Sequence, residues 1–243
     1  MTTGLVLVHA FPLDASMWKP QTEAFGGRVA GAAPDLPGFG DSPGAGAVMS
    51  MDDAADRVLL AIDQMAMDRA VLAGVSMGGY AMFSCWRRFR DRIAGMLLAD
   101  TKAEADDEAA VERRRALAEN VEANGIEVVV DNPPPLLSPN APPELWDEVK
   151  AIIARQSPEA IAAASRGMAA RPDSRPILPE IDVPTIVVVG SEDAITPPAN
   201  AEALAGAIGA DLRVIEGAGH ISNLEAPDAF NAVLSDLLDR CGL

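Results

Sequence analysis

The chain has little with which to bridge, bind metal or attract anions. Its 243 residues include two cysteines and two histidines, and aromatic residues make up 4%. Cys85 and Cys241 share no CxxC or metal-type spacing, which argues against a disulfide framework or a thiolate metal site. Nineteen Lys and Arg stand against 36 Asp and Glu, a net charge of −17. That balance argues against nucleic acid or an anionic membrane as partner, and a strongly anionic substrate is expected to meet repulsion. No 18-residue apolar run and no basic, hydrophobic leader is found, so no membrane span is expected and the default location is cytoplasmic. The scarcity of histidine is useful: an imidazole base has to be His9 or His220.

What the chain does have is a serine between glycines. Gly74-Val75-Ser76-Met77-Gly78-Gly79 follows the apolar run Ala70-Val71-Leu72-Ala73 and precedes the helix-like Tyr80-Ala81-Met82-Phe83. A strand that reverses directly into a helix brings two backbones together, so side chains two positions either side of the apex would collide. Gly74 and Gly78 remove them and leave the Ser76 hydroxyl proud of a strained turn. Such a pentapeptide arises by chance in roughly one chain in ten of this length at ordinary Gly and Ser usage, so its context must carry the argument.

That context is alternating. Leu5-Val6-Leu7-Val8 is too short for a helix and suits a strand buried on both faces of a parallel sheet. Further strands are expected over residues 28–33, 70–73, 93–99, 184–189 and 212–215. Helices are expected from Ser50, where Asp53 completes a capping box, and over residues 199–208 and 227–238. Residues 102–179 are charged and helical at first, then Pro-rich, with no clear strand. The length suits one α/β domain with an insertion. The pattern gives a doubly wound, mostly parallel sheet of about six strands, with a core at 1–101 and 180–243 and a helical cap at 102–179.

A serine hydroxyl is a weak nucleophile near neutral pH and needs a base; imidazole, with an ordinary pKa of roughly 6.5, is suited to the task. His220 lies in the glycine-loosened Glu216-Gly217-Ala218-Gly219-His220, just past the last strand, where side chains gather at the carboxyl edge of an open sheet. An imidazole that becomes cationic needs an acid behind it. Asp193, just beyond the strand ending at Val189, reaches the same edge. Asp100, at the end of an earlier strand, is the rival acid. Glu192 reads as a solvated carboxylate, and metal ligands are not indicated.

The order Ser76, Asp193, His220 resembles that of the α/β-hydrolase superfamily, and the resemblance spans essentially the whole chain. Val8-His9-Ala10-Phe11-Pro12-Leu13-Asp14 resembles its His-Gly oxyanion loop, residues 35–42 its D-x-x-G-x-G-x-S turn, and residues 217–227 its histidine loop. The resemblance implies backbone N–H donors at Phe11 and Met77 for the oxyanion, a loop-bracing role for His9, no metal or organic cofactor, and a core lacking the first antiparallel strands. Ala10 stands where glycine is usual, which is harmless if its φ is negative.

The motifs around Ser76 and the first loop are most similar to bacterial aryl esterases, cofactor-free haloperoxidases (perhydrolases) and 3-oxoadipate enol-lactonases. The expected activity is serine hydrolysis of small, uncharged or weakly charged carboxylic esters or lactones. The alternatives are a C–C bond hydrolase or perhydrolase with the same triad, and a non-catalytic binding protein on the same fold. Dehalogenases and epoxide hydrolases of this fold use an aspartate nucleophile, where this chain has serine. Trp146, Leu136, Leu137 and Met168 are the expected pocket walls within the cap.

Overall fold

The computed structural model describes residues 1–44 and 46–243. In it β1 (Thr3–Val8), β2 (Gly31–Ala32), β3 (Arg69–Val75), β4 (Ile93–Ala99), β5 (Thr185–Gly190) and β6 (Asp211–Ile215) form one parallel sheet in the order β2-β1-β3-β4-β5-β6. Parallel neighbours require crossovers, and helices supply them. These are α1 (Lys19–Phe25), α2 (Met51–Gln64) and α3 (Met77–Phe89), then α4 (Glu108–Asn124), α5 (Glu127–Asp131), α6 (Pro143–Ala154) and α7 (Pro158–Ala169) between β4 and β5, and finally α8 (Pro198–Ile208), α9 (Ser222–Glu225) and α10 (Pro227–Arg240).

The apolar runs become the strands for the reason expected: β1, β3, β4 and β5 are buried almost throughout, because helices cover both faces. β6, at the sheet edge, is exposed or half-exposed except at Ile215. The strand expected over residues 28–33 shrinks to Gly31–Ala32. The N–H groups of Arg28 and Val29 both donate to Phe25 O, so these residues still belong to the turn that ends α1. The Ser50–Asp53 capping box starts α2 as expected.

Strand order determines where a site can form. From β1 the chain passes to β2 on one side and then to β3 on the other, so the winding reverses between β1 and β3. In open α/β sheets the crevice at such a point, beyond the carboxyl ends of the strands, is where ligands bind. Register keeps these ends level: Val8 pairs with Gly74, Val75 with Ala99, Ala99 with Val188, and Gly190 with Ile215. The loops after β1, β3, β4, β5 and β6 therefore emerge along one edge, facing the segment that carries α4–α7. Among the described residues, no helix is long and apolar enough to cross a membrane.

Candidate active site

Ser76 sits between β3 and α3 with φ 55° and ψ −112°, a conformation that L-residues rarely adopt. Its neighbours hold it there: its N–H donates to Ala99 O at 2.9 Å and its carbonyl accepts from Thr101 Oγ1 at 2.9 Å. The flanking glycines meet the steric demand expected of them. A Cβ on Gly74 would lie 2.8 Å from the carbonyl carbon of Gly78, and one on Gly78 would overlap the Val8 carbonyl oxygen.

His220, in the loop after β6, places Nε2 2.7 Å from Ser76 Oγ. Its Nδ1 lies 2.9 Å and 3.0 Å from the two carboxylate oxygens of Asp193. A carboxylate can only accept, so Nδ1–H donates to Asp193 and the Nε2 lone pair accepts from the serine hydroxyl. Asp193 is itself anchored by the N–H groups of Ile195 and Thr196, at 2.8 and 2.9 Å, and by the Thr196 hydroxyl at 2.7 Å. Burial alone would raise its carboxyl, but the His220 and Thr196 hydrogen bonds outweigh that and hold it below the usual carboxylate range. All three residues are buried.

Asp100, the rival acid, does not reach His220. Its oxygens accept from the Gly190 N–H at 2.8 Å and from the N–H and hydroxyl of Ser222 at 3.2 and 2.6 Å. It is fully buried with φ 47°, and burial, followed by the nearby Asp193 charge, pushes its carboxyl up to about 7. Glu192 is exposed. His9 braces two loops: its Nε2 accepts from the Leu36 N–H at 2.9 Å, which leaves Nδ1–H to donate to Ala10 O at 3.0 Å. Burial pushes its imidazole below the ordinary value and keeps it neutral.

Ala10 is not among the residues with positive φ, so the alanine replacing the usual glycine costs its loop little. The Phe11–Pro12 peptide is cis. Among the described residues, no group accepts from the N–H of Phe11 or of Met77, and Met77 is the first residue of α3, where N–H groups have no partner within the helix.

A cavity of about 300 Å³ opens onto Ser76 and His220. Phe11, Tyr80 and Ile195 line it from the sheet side, and Leu117, Leu136 and Met168 from the inserted segment. Leu136 and Met168 were expected there; Leu137 and Trp146 lie outside the lining. Leu137, one residue on from Leu136, is buried among core side chains, and Trp146 on α6 packs half-buried against that core. A second cavity, about 320 Å³ between β1, α1 and β2, is lined by no titratable side chain and offers no chemistry.

Sequence reasoning missed the charged part of the lining. Lys102, Arg113 and Arg114 line the cavity together with one carboxylate, Asp106. Burial would raise the Asp106 carboxyl, but Arg171 and Arg114 pull it down to about 2. The cavity lining thus holds more cations than anions in a chain of net charge −17, a local excess that the overall balance does not register. The signal was present as helix spacing: Ala110, Arg113, Arg114 and Leu117 fall on one face of α4. Also missed was Glu225, which accepts from the N–H groups of Gly219 at 2.8 Å and Ser138 at 3.0 Å and from the Ser138 hydroxyl. It ties the loop carrying His220 to the inserted segment.

Comparison with known proteins bears on the fold and the family. A 3-oxoadipate enol-lactonase of Acinetobacter baylyi is 26% identical over 98% of this chain and 89% of its own length. A thermophilic esterase from Thermogutta terrifontis, solved with malate bound, superposes with a TM-score of 0.94 at 38% identity, covering 99% of this chain and 92% of its own. The enol-lactonase of Burkholderia xenovorans gives a TM-score of 0.89 at 27% identity, over 98% and 92%. Residues 5–233 match the model of the alpha/beta hydrolase family, and the chain belongs to that family.

Proposed function

We propose that this enzyme, a carboxylic ester hydrolase, cleaves small esters or lactones through an acyl-enzyme on Ser76. The observation that carries the reading is the unbroken row of Ser76 Oγ to His220 Nε2 at 2.7 Å and His220 Nδ1 to Asp193 at 2.9 Å, opening onto a partly closed cavity. The esterases and enol-lactonases among its relatives support the reaction type.

His220 takes the serine proton as Ser76 attacks the acyl carbon, and Asp193 stabilises the resulting imidazolium. The Phe11 and Met77 N–H groups take the developing oxyanion; each such donor is worth roughly 3 kcal/mol to the transition state. His220 then returns its proton to the departing alcohol, or to the opened ring of a lactone. Water activated by the same imidazole frees the acid. In this scheme residues 102–179 serve as a cap on the core formed by 1–101 and 180–243: α4, α7 and the stretch around Leu136 supply the wall that excludes bulk water and sizes the acyl or alcohol group.

The test is hydrolysis of p-nitrophenyl acetate, butyrate and octanoate by the purified protein and its Ser76→Ala variant. Turnover should favour the shorter chains and fall by a factor on the order of 10³ or more in the variant. Equal turnover by both proteins would remove Ser76 from the mechanism.

A further inference from the structure

The cations of the cavity wall are not all accounted for by the fold. Asp106 has a buried side chain, and it receives Arg171 Nη2 at 2.8 Å and the Arg114 guanidinium. Those two contacts tie the start of α4 to the end of α7 and explain Arg114 and Arg171. Lys102 Nζ stands 3.7 Å from an Asp106 oxygen that Arg171 already occupies, beyond hydrogen-bond reach. Arg113 is exposed and, among the described residues, has no carboxylate within ion-pair distance. One carboxylate therefore faces three lining cations, and two of the three lack a hydrogen-bonded acid. Several surface arginines, among them Arg28, Arg88, Arg92, Arg166 and Arg240, pair with an Asp or Glu; what sets Lys102 and Arg113 apart is that they line the cavity that holds Ser76 and His220.

Catalysis does not require these charges. The oxyanion would fall to backbone N–H groups and the imidazolium to Asp193, so a cation here has to act on a part of the substrate away from the scissile carbonyl. Arg offers a planar fork that matches a carboxylate bidentately, and Lys adds a compact point charge beside it. In a partly closed cavity their field is focused, and it opposes the negative potential of the rest of the molecule. A cavity of about 300 Å³ limits the substrate to a small molecule.

We infer that Lys102 and Arg113 form a carboxylate-binding subsite, and that the substrate is a small ester or lactone bearing a free carboxylate, such as the half-ester of a short dicarboxylic acid. The position of the scissile bond rests on the serine-hydrolase reading; the carboxylate subsite itself does not. A substrate of this class would come from a reaction that esterifies one carboxyl of a dicarboxylic acid, or closes one carboxyl of a hydroxy-diacid onto its own hydroxyl, and hydrolysis would return the diacid with the alcohol, or the hydroxy-diacid.

Two measurements separate the ideas. In calorimetric titration, glutarate should bind the wild-type protein at least tenfold more tightly than neutral glutaramide. That ratio should fall to about one in the Lys102→Met/Arg113→Gln double variant, whose substitutions are half-exposed and exposed and are not expected to disturb folding. In kinetics, kcat/KM for p-nitrophenyl hydrogen glutarate should exceed that for its methyl-capped diester by tenfold or more, with the ratio lost in the same variant. Glutarate and glutaramide binding alike, or a glutarate preference that survives the double substitution, would overturn the subsite. Selective glutarate binding with neither ester hydrolysed would retain the subsite and overturn the serine-hydrolase reading instead.

Discussion

The two walls of the cavity are built on different principles. On the sheet side, Ser76, Asp193 and His220 are buried; Ser76 and Asp193 are held by hydrogen bonds involving backbone beside a strand end, and His220 by the side chains of those two residues. On the inserted side, Lys102, Asp106 and Arg114 are linked by charge, Arg113 is exposed, and only the Asp106 side chain of the four is shut off from water. A parallel sheet fixes its carboxyl edge to within a residue, because strand register leaves no slack. A helix laid over that edge can rotate or slide until its faces are satisfied. The first wall is therefore suited to chemistry that tolerates little misplacement, and the second to discrimination among substrates.

The sharpest way to test the division is to swap carboxylates within the first wall. Asp193→Asn keeps the shape but removes the anion that fixes the His220 tautomer, and kcat should fall by roughly 10³ to 10⁴. Asp100→Asn makes no change among the hydrogen-bond partners of His220: Asn Oδ1 can still accept from Gly190 N–H and its amide can donate to Ser222 Oγ, and the one bond lost is the 3.2 Å bond from Ser222 N–H. Its loss in kcat should stay within about tenfold. Steady-state kinetics of both variants decides this, and the reverse pattern would make Asp100 the acid.

The same division explains what could be read from the sequence. The apolar runs at 5–8, 93–99 and 184–189 mark buried parallel strands because no other element of that length is apolar all round. The three residues that the structure brings into one hydrogen-bonded row, Ser76, His220 and Asp193, were legible because each lies within five residues of a strand end, and only two histidines compete. β2 was overestimated because Arg28 and Val29 are captured by the end of α1, a tertiary outcome that β-propensity does not register. The inserted wall was half legible. Leu136 and Met168 were found by hydrophobicity, but hydrophobicity gives no direction, and it equally suggested Leu137 and Trp146. Lys102 and Arg113 were hidden by a whole-chain charge balance that averages away a local cluster of the opposite sign.

A smaller effect should follow from loosening the joint between the walls. Glu225 gives its carboxylate to three donors, two from Ser138 and one from Gly219, the residue preceding His220. Glu225→Ala leaves the buried N–H groups of Gly219 and Ser138 without their acceptor, which costs about 1 to 3 kcal/mol. Thermal unfolding should show that loss. If the joint positions His220, kcat should fall several-fold with KM changed less, and Glu225→Asp should recover part of it. A stability loss with kcat intact would confine Glu225 to holding the inserted segment.

The smallest effect concerns Asp100 alone and uses pH. In the folded protein burial pushes its carboxyl up to about 7, whereas in the unfolded chain it titrates near the ordinary 3.8. Between those values the unfolded chain has released the proton and the folded protein still holds it, so stability falls as pH rises. The contribution of Asp100 is fully present below pH 3.8 and lost by the time pH passes 7, with a slope of up to about 1.4 kcal/mol per unit within the window. Asp106 runs the opposite way, because its carboxyl is held near 2 and its contribution is lost only as pH falls below 3.8. Comparing wild type with Asp100→Asn cancels Asp106 and every other group common to both. Urea midpoints at pH 4.5 and 7.5 should show the variant gaining on the wild type as pH rises; a constant difference would mean that Asp100 ionises normally in its buried position. Well below pH 7 Asp100 is protonated, which leaves Asp193 to carry the negative charge beside His220.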